Sequence, residues 1–238
     1  MKVRGERECN DCGTRWSYYE TGSVECPSCG SLRSVGVDSE RRLHTDSPVE
    51  LDLTDAREAV EAESLREVAD RASEAARGYV RKRGFVRGGD LRALDDAYLA
   101  ANELRHAADV VGRGLDVNDD EEWYFLALLR GADDGERPAP SEVPKTMHAI
   151  RGLAYGEAVG EYRREMADWA DEEGVDSEGA SALETLETHV KRVRALEGDV
   201  DPETAELLVE AARDVSRFLR EDDVDALASA RERFDRLA

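Results

Sequence analysis

From Ala56 to the C-terminus, apolar residues return every three or four positions, the period of a helix buried along one side. Leu65, Val68, Ala69, Ala72, Ala75, Ala76 and Tyr79 share one stripe, which predicts a helix over 56–83 that stops at Gly84. A second is predicted over 91–111, capped by Asp90 and ended by Gly112 and Gly114. A third, over 119–130, opens on four acids, which suit the positive end of a helix dipole. Its run from Trp123 to Leu129 is apolar on every side, so this helix is expected to be buried. A Gly/Pro-rich loop covers 131–144.

Pro144 is placed as a first helical residue, and the helix after it is predicted to reach about Glu173. Tyr155, Val159, Tyr162, Met166 and Trp169 form its stripe. Ser181 and Glu184 have the spacing of a capping box, ahead of Leu186, Val190, Val193 and Leu196. Asp201-Pro202-Glu203 opens another helix, and Val224 to Leu237 makes the last. The expectation is mainly α: an all-α domain of about seven helices over 54–238, long enough for a real core. No fixed-period repeat is present. No apolar run approaches the roughly eighteen residues of a membrane span.

The first 44 residues read differently. Thr14 to Glu20 is rich in β-formers, Thr21-Gly22-Ser23 supplies a turn, and Val24-Glu25 leads back. Ser31 to Val37 reads as a further strand with Leu32 and Val35 as its apolar residues. Residues 45–53 read as a linker: Asp46-Ser47-Pro48 breaks structure, and Asp52 and Thr54 offer a helix N-cap. A module of about forty residues cannot build an adequate core, so a structural metal is the expected staple.

The cysteines supply it. All four lie in this module, as Cys9-Asn-Asp-Cys12-Gly13 and Cys26-Pro-Ser-Cys29-Gly30. Two C-x-x-C pairs on one short segment read as a tetrahedral metal site, and each glycine allows the tight turn that aims backbone N–H groups at thiolates. Disulfides are disfavoured because Met1 to Glu6 lacks the apolar core of a signal peptide, which points to a cytoplasmic protein. A redox pair would need a βαβ context. One Zn²⁺ is the expected occupant; iron fits the same geometry.

These knuckles resemble zinc ribbons of the transcription factor IIB type, and also rubredoxin-like domains, over residues 1 to about 44. The whole chain resembles haloarchaeal proteins of unassigned role that carry such a ribbon before a helical domain. The resemblance implies a metal-binding interaction module touching nucleic acid or a transcription-related protein. Transcription factor IIB itself pairs its ribbon with two helical repeats, and the helical part here shows no duplication.

Charge changes the picture. The chain holds 55 acidic and 33 basic side chains, a formal −22, and only four lysines. An acidic, lysine-poor but well-patterned chain resembles proteins of extreme halophiles, whose dense carboxylates keep them soluble in concentrated salt. Disorder fails on the helical patterning. Pairs such as Asp95-Asp96 and Asp119-Asp120 therefore read as solvated surface rather than catalytic dyads. Residues 1–44 carry seven basic and seven acidic side chains, so the ribbon is a relative basic patch. Within it Trp16 and Tyr18, flanked by Arg15 and joined by Arg33, are candidate contacts for nucleic acid or a partner. The same aromatics would also serve as a small ribbon core.

Three features of the helical part carry alternative readings. Gly152, Gly156 and Gly160 form a stripe that fits a close helix crossing or a ligand cleft. Arg77, Arg81, Lys82, Arg83, Arg87 and Arg92 could hold phosphate or an acidic partner, or close a helix dipole. Glu103-Leu-Arg-His106 is one half of the paired Glu-x-x-His arrangement of rubrerythrin-like di-iron sites. The positions three before His44, His148 and His189 are Arg41, Lys145 and Leu186, so the second half is missing. No small-molecule ligand or catalytic motif is identified. The reading leans away from an enzyme; the alternatives are an iron electron-transfer module or an enzyme with a cleft in the helices.

Overall fold

The computed structural model describes residues 1–114 and 116–238. Its contacts divide the chain into two compact units: residues 1–49 with 81–92, and residues 50–80 with 93–238.

The first unit is built of short strands. Strands β2 (Glu6–Cys9), β3 (Arg15–Ser17) and β4 (Ser34–Gly36) form one antiparallel sheet with β2 in the centre. β1 (Lys2–Val3) pairs with β5 (Arg42–Leu43). The expected strand over 14–20 is cut short: the chain leaves the sheet at Ser17 and turns through α1 (Tyr18–Thr21), ended by left-handed Gly22. Tyr18 N–H donates to the Gly5 carbonyl at 2.6 Å, which draws the chain off the strand path. Val24-Glu25 is not a strand. The central place belongs to β2, which hydrophobic patterning did not mark.

The last pair of strands comes from far along the chain. β6 (Val86–Arg87) and β7 (Asp90–Leu91) form a hairpin where a helix from Leu91 was expected. Gly88 and Gly89 both have positive φ, at 63° and 95°, as a type I′ turn demands, and two glycines adopt the pair without strain. The hairpin lies against the ribbon. Thr45 N–H donates to Val86 O at 2.9 Å, and Gly89 N–H to Leu43 O at 2.8 Å.

The second unit is helical. Its elements are α2 (Thr54–Ala59), α3 (Leu65–Lys82, ending in the first unit), α4 (Asp96–Arg113), α5 (Asp119–Gly131), α6 (His148–Glu173), α7 (Ser177–Ala195), α8 (Pro202–Glu221) and α9 (Val224–Leu237). The chain is thus mainly α with a small N-terminal β region, as expected. α6 is the central element: α4, α7 and α8 pack on it, and α9 packs on α8. Tyr155, Val159, Tyr162 and Met166 of the expected stripe are buried. Among the described residues, no helix is long and apolar enough to cross a membrane.

Capping chemistry explains several shifted boundaries. The helix expected over 56–83 is two, because Ser64 and Glu67 form a capping box: Ser64 N–H donates to Glu67 Oε2 at 3.0 Å, and Glu67 N–H to Ser64 Oγ at 3.4 Å. α4 is capped by Asp95, not Asp90, with Tyr98 N–H donating to its carboxylate at 2.8 Å. α7 begins at Ser177 because Asp176 already accepts Gly179 N–H at 2.7 Å. The expected box of Ser181 and Glu184 therefore lies inside a helix. Pro144 precedes a 3₁₀ turn (Lys145–Met147) rather than entering α6 directly. Trp123, expected in the core, is 49% exposed, while Tyr124, Phe125, Leu128 and Leu129 are buried. Leu51 and Leu53, in the expected linker, are also buried.

Candidate metal centre

The four cysteines converge. Their Sγ atoms all lie within 4.8 Å of one another. Cys9 and Cys29 approach to 3.7 Å, and Cys12 and Cys26 to 3.6 Å. Four sulfurs placed about 2.3 Å from one tetrahedral ion would stand about 3.8 Å apart, so the spacing fits a single metal. Each pair across the centre joins one knuckle to the other, so neither knuckle can assemble the site alone.

The two knuckles are built alike. Cys9 N–H donates to Thr14 O and Gly13 N–H to Cys9 O, at 2.9 and 3.0 Å; Cys26 N–H donates to Ser31 O and Gly30 N–H to Cys26 O, each at 2.9 Å. Gly13 and Gly30 hold φ of 75° and 71°. The glycine amides are spent on closing the turn. The amides that serve the sulfurs come one residue later, from Thr14 to Cys12 and from Ser31 to Cys29. That extra hydroxyl residue was legible: the full repeat is C-x-x-C-G-T and C-x-x-C-G-S. Cys9 and Cys26 are buried, and Cys12 and Cys29 face solvent.

Four thiols this close cannot all ionise without a cation. Hydrogen bonding with the Thr14 hydroxyl, 3.2 Å from Cys12 Sγ, and with the Thr14 amide holds the Cys12 thiol down at about 6. The Ser31 amide pulls Cys29 the same way. The other thiols, Cys12 foremost, and partial burial outweigh it and push Cys29 up to about 12. One thiolate forms readily and the last resists, because each negative sulfur raises the cost of ionising its neighbours.

The remaining candidates in this unit take separate places. Trp16 is buried with Cys9 and Cys26 and donates through Nε1 to Ser23 O at 3.0 Å. Tyr18 is half-buried on α1, its ring edge-on to His44, so the two aromatics do not share a strand face. Arg15 pairs with Glu8, and Arg33 with Asp11, both at the surface. His44 is buried, accepts Gly88 N–H at Nδ1 (3.3 Å), and has no partner at Nε2.

In the helical unit, the glycine stripe is a packing device. A Cβ on Gly152 would come within 2.1 Å of Gly198 O, and one on Gly160 within 2.3 Å of the Arg194 guanidinium. Gly156 faces Val193 of α7. Glu103 and His106 point to different partners. Glu103 is fully buried, bonded by Arg151 Nε at 2.7 Å, by Tyr155 OH at 2.7 Å and by Tyr124 OH. His106 Nε2 lies 3.1 Å from Glu157. Arg77 pairs with Asp109, and Arg83 with Asp46. Among the described residues, the cysteines are the one group of three or more His, Cys, Asp or Glu side chains close enough to share an ion.

The fold and site together define a mainly helical protein with an N-terminal module whose four cysteines are close enough to share one metal ion. The chain belongs to the family of unknown function DUF7117, whose model matches residues 1–234. No curated protein and no solved structure matches it.

Proposed function

We propose that Cys9, Cys12, Cys26 and Cys29 bind one Zn²⁺ that holds the N-terminal ribbon together, and that the protein is a non-enzymatic interaction module contacting nucleic acid or the transcription machinery. The observation that carries the first part is the cross-paired sulfur geometry, 3.7 and 3.6 Å between knuckles. A bound Zn²⁺ would supply the charge that lets all four thiols ionise. The chain's own part is to preform the turns through Gly13 and Gly30 and to direct the Thr14 and Ser31 amides at the exposed sulfurs.

The partner reading is supported by charge and by the ribbon's resemblance. With Trp16 spent on the core, and Arg15 and Arg33 engaged by Glu8 and Asp11, contact falls to the exposed basic groups without a paired carboxylate and to Tyr18. The acidic helical surface fits a cytoplasm of concentrated salt, where screening to about 3 Å leaves short-range contacts to carry binding.

Elemental analysis of purified protein, with its absorption spectrum, tests the metal. One zinc per chain and no visible band is expected; a coloured iron centre would favour electron transfer instead. Binding of RNA and DNA in molar KCl tests the partner, and failure to bind either would remove the nucleic-acid reading.

A further inference from the structure

The hairpin changes the charge of the module it joins. Residues 1–49 and 81–92 together carry twelve basic and nine acidic side chains, a formal +3, while the helical unit holds 21 and 46, a formal −25. Five of the twelve arrive with residues 81–92, against the single acid Asp90. A four-thiolate site with one divalent cation subtracts two and leaves the unit positive on a chain that is otherwise strongly negative.

The added cations belong to a segment that pairs with β5 and the residues after it. β5 and the residues after it run beside the hairpin in opposite directions, with Leu43 O bound by Gly89 N–H and Val86 O by Thr45 N–H. The stem of Arg42 covers the hairpin turn, its Cδ 3.3 Å from where a Gly89 Cβ would stand. At the far end of the seam a Gly84 Cβ would strike the Thr45 backbone. Between these ends Arg87 and Arg83 flank the buried carboxylate of Asp46, at 3.9 and 2.7 Å. Arg41, Arg42, Arg81 and Lys82 are exposed, and no carboxylate lies within ion-pair distance of them among the described residues. From Arg42 to Lys82 the seam covers on the order of 20 Å at about 3.3 Å per residue.

We infer that this seam is the nucleic-acid-binding face of the protein, with Arg41 and Arg42 at one end and Arg81 and Lys82 at the other contacting backbone phosphates. The inference rests on the reading that the protein binds nucleic acid, and it assigns the surface. Cations at both ends of a paired seam match a polymer with one charge per nucleotide, roughly every 3.4 Å along a strand, better than the scattered carboxylates of a folded partner. Arginine forks grip phosphate in two-point contacts. The Asp46 pairings fix Arg83 and Arg87 as the seam's frame and leave the end residues for the ligand.

The test measures fluorescence anisotropy of the full chain with a short single-stranded RNA and a duplex DNA over a KCl series. Two double variants remove charge but keep the stems: Arg41→Gln with Arg42→Gln, and Arg81→Gln with Lys82→Gln. Arg15→Gln with Arg33→Gln serves as the comparison. Each seam variant should bind more weakly and flatten the slope of log affinity against log salt by about 1 per lost phosphate contact, with metal content unchanged. The comparison variant should match the wild type. If the wild type binds and only the Arg15/Arg33 variant loses affinity, the surface lies elsewhere and this inference falls while the function reading stands. If the wild type binds neither polymer, both fall. Displacement of the RNA by polyglutamate of equal charge would overturn the inference in favour of an acidic protein partner.

Discussion

Glu103 Oε1 accepts Arg151 Nε at 2.7 Å, and neither side chain has any exposed surface. The pair joins α4 to α6. The Tyr124 and Tyr155 hydroxyls close on the same carboxylate, and burial pushes both tyrosines well above their usual range, so they stay neutral donors. Arg151 Nη2 also donates to Pro138 O at 2.7 Å, tying down the loop before α6. Removing Arg151 leaves Glu103 a buried charge stripped of its ion pair, and removing Glu103 leaves Arg151 only Glu206, at 3.6 Å. Arg151→Met should cost about 3–5 kcal/mol in denaturant unfolding, and adding Glu103→Gln should recover part of that loss. A single variant as stable as the wild type would show that the pair does not carry the α4–α6 contact.

Metal removal should act on one unit. Chelation, or Cys9→Ser, should abolish the ribbon's ordered amide signals and leave most of the helical circular dichroism, because every cysteine lies in the first 29 residues. Collapse of the helical signal in parallel with metal loss would contradict this.

The His44 contact with the hairpin should weaken in acid. Burial pushes the imidazole below its usual value of 6.5; Asp46 pulls it up, and Arg87 and the N-terminal amine pull it down. Nδ1 must stay unprotonated to accept Gly88 N–H. With the folded value depressed, the stabilisation is fully present above about pH 6.5 and declines as pH falls below it. The protection of the Gly88 and Gly89 amides, taken as exchange relative to the intrinsic rate at each pH, should therefore fall below pH 6.5 in the wild type. A flat profile across that range would rule the contact out as pH-sensitive.

Glycines in two helices should respond oppositely to alanine. Gly78 in α3 has nothing within 4 Å of an added Cβ, so Gly78→Ala should stabilise by up to about 1 kcal/mol. Gly152→Ala would drive a methyl to 2.1 Å from the Gly198 carbonyl, a backbone atom held by its own turn. It should destabilise by more than the helix propensity returns, and thermal midpoints of the two variants should move apart.

Salt should matter most to the helices. The formal −25 of that unit repels itself, and lowering KCl from molar to 0.1 M extends the screening length from about 3 Å to about 10 Å. Helix content by circular dichroism should fall over that range. Salt-independent melting would refute the halophilic reading.

Several features were legible because they depend only on near neighbours. The metal knuckles were, since a C-x-x-C turn closes within six residues. The run of α6 to Glu173, and α8 from Asp201-Pro202, were legible from period and caps. Caps misled where two competed: Ser181 and Glu184 have a box's spacing, yet Asp176 reached the free amides first, while the same spacing at Ser64 and Glu67 ended a helix where hydrophobic periodicity suggested continuity. Gly88-Gly89 has the composition of a two-residue hairpin turn, and the helix expected from Leu91 left no place for the strand that follows it.

The sequence by itself determined the mainly helical class, the cluster of four cysteines and the acidic balance, because these follow from local spacing and composition. Tertiary structure decided what each isolated feature is for. It turned the glycine stripe into a seat for Gly198 and Arg194, sealed Trp16 inside the ribbon and neutralised Glu103 with Arg151. It also carried residues 81–92 back to β5. That last step could not be read along the chain, because it depends on hydrogen bonds between Thr45 and Val86 and between Leu43 and Gly89. Those residues stand more than forty positions apart, and no local period encodes their meeting.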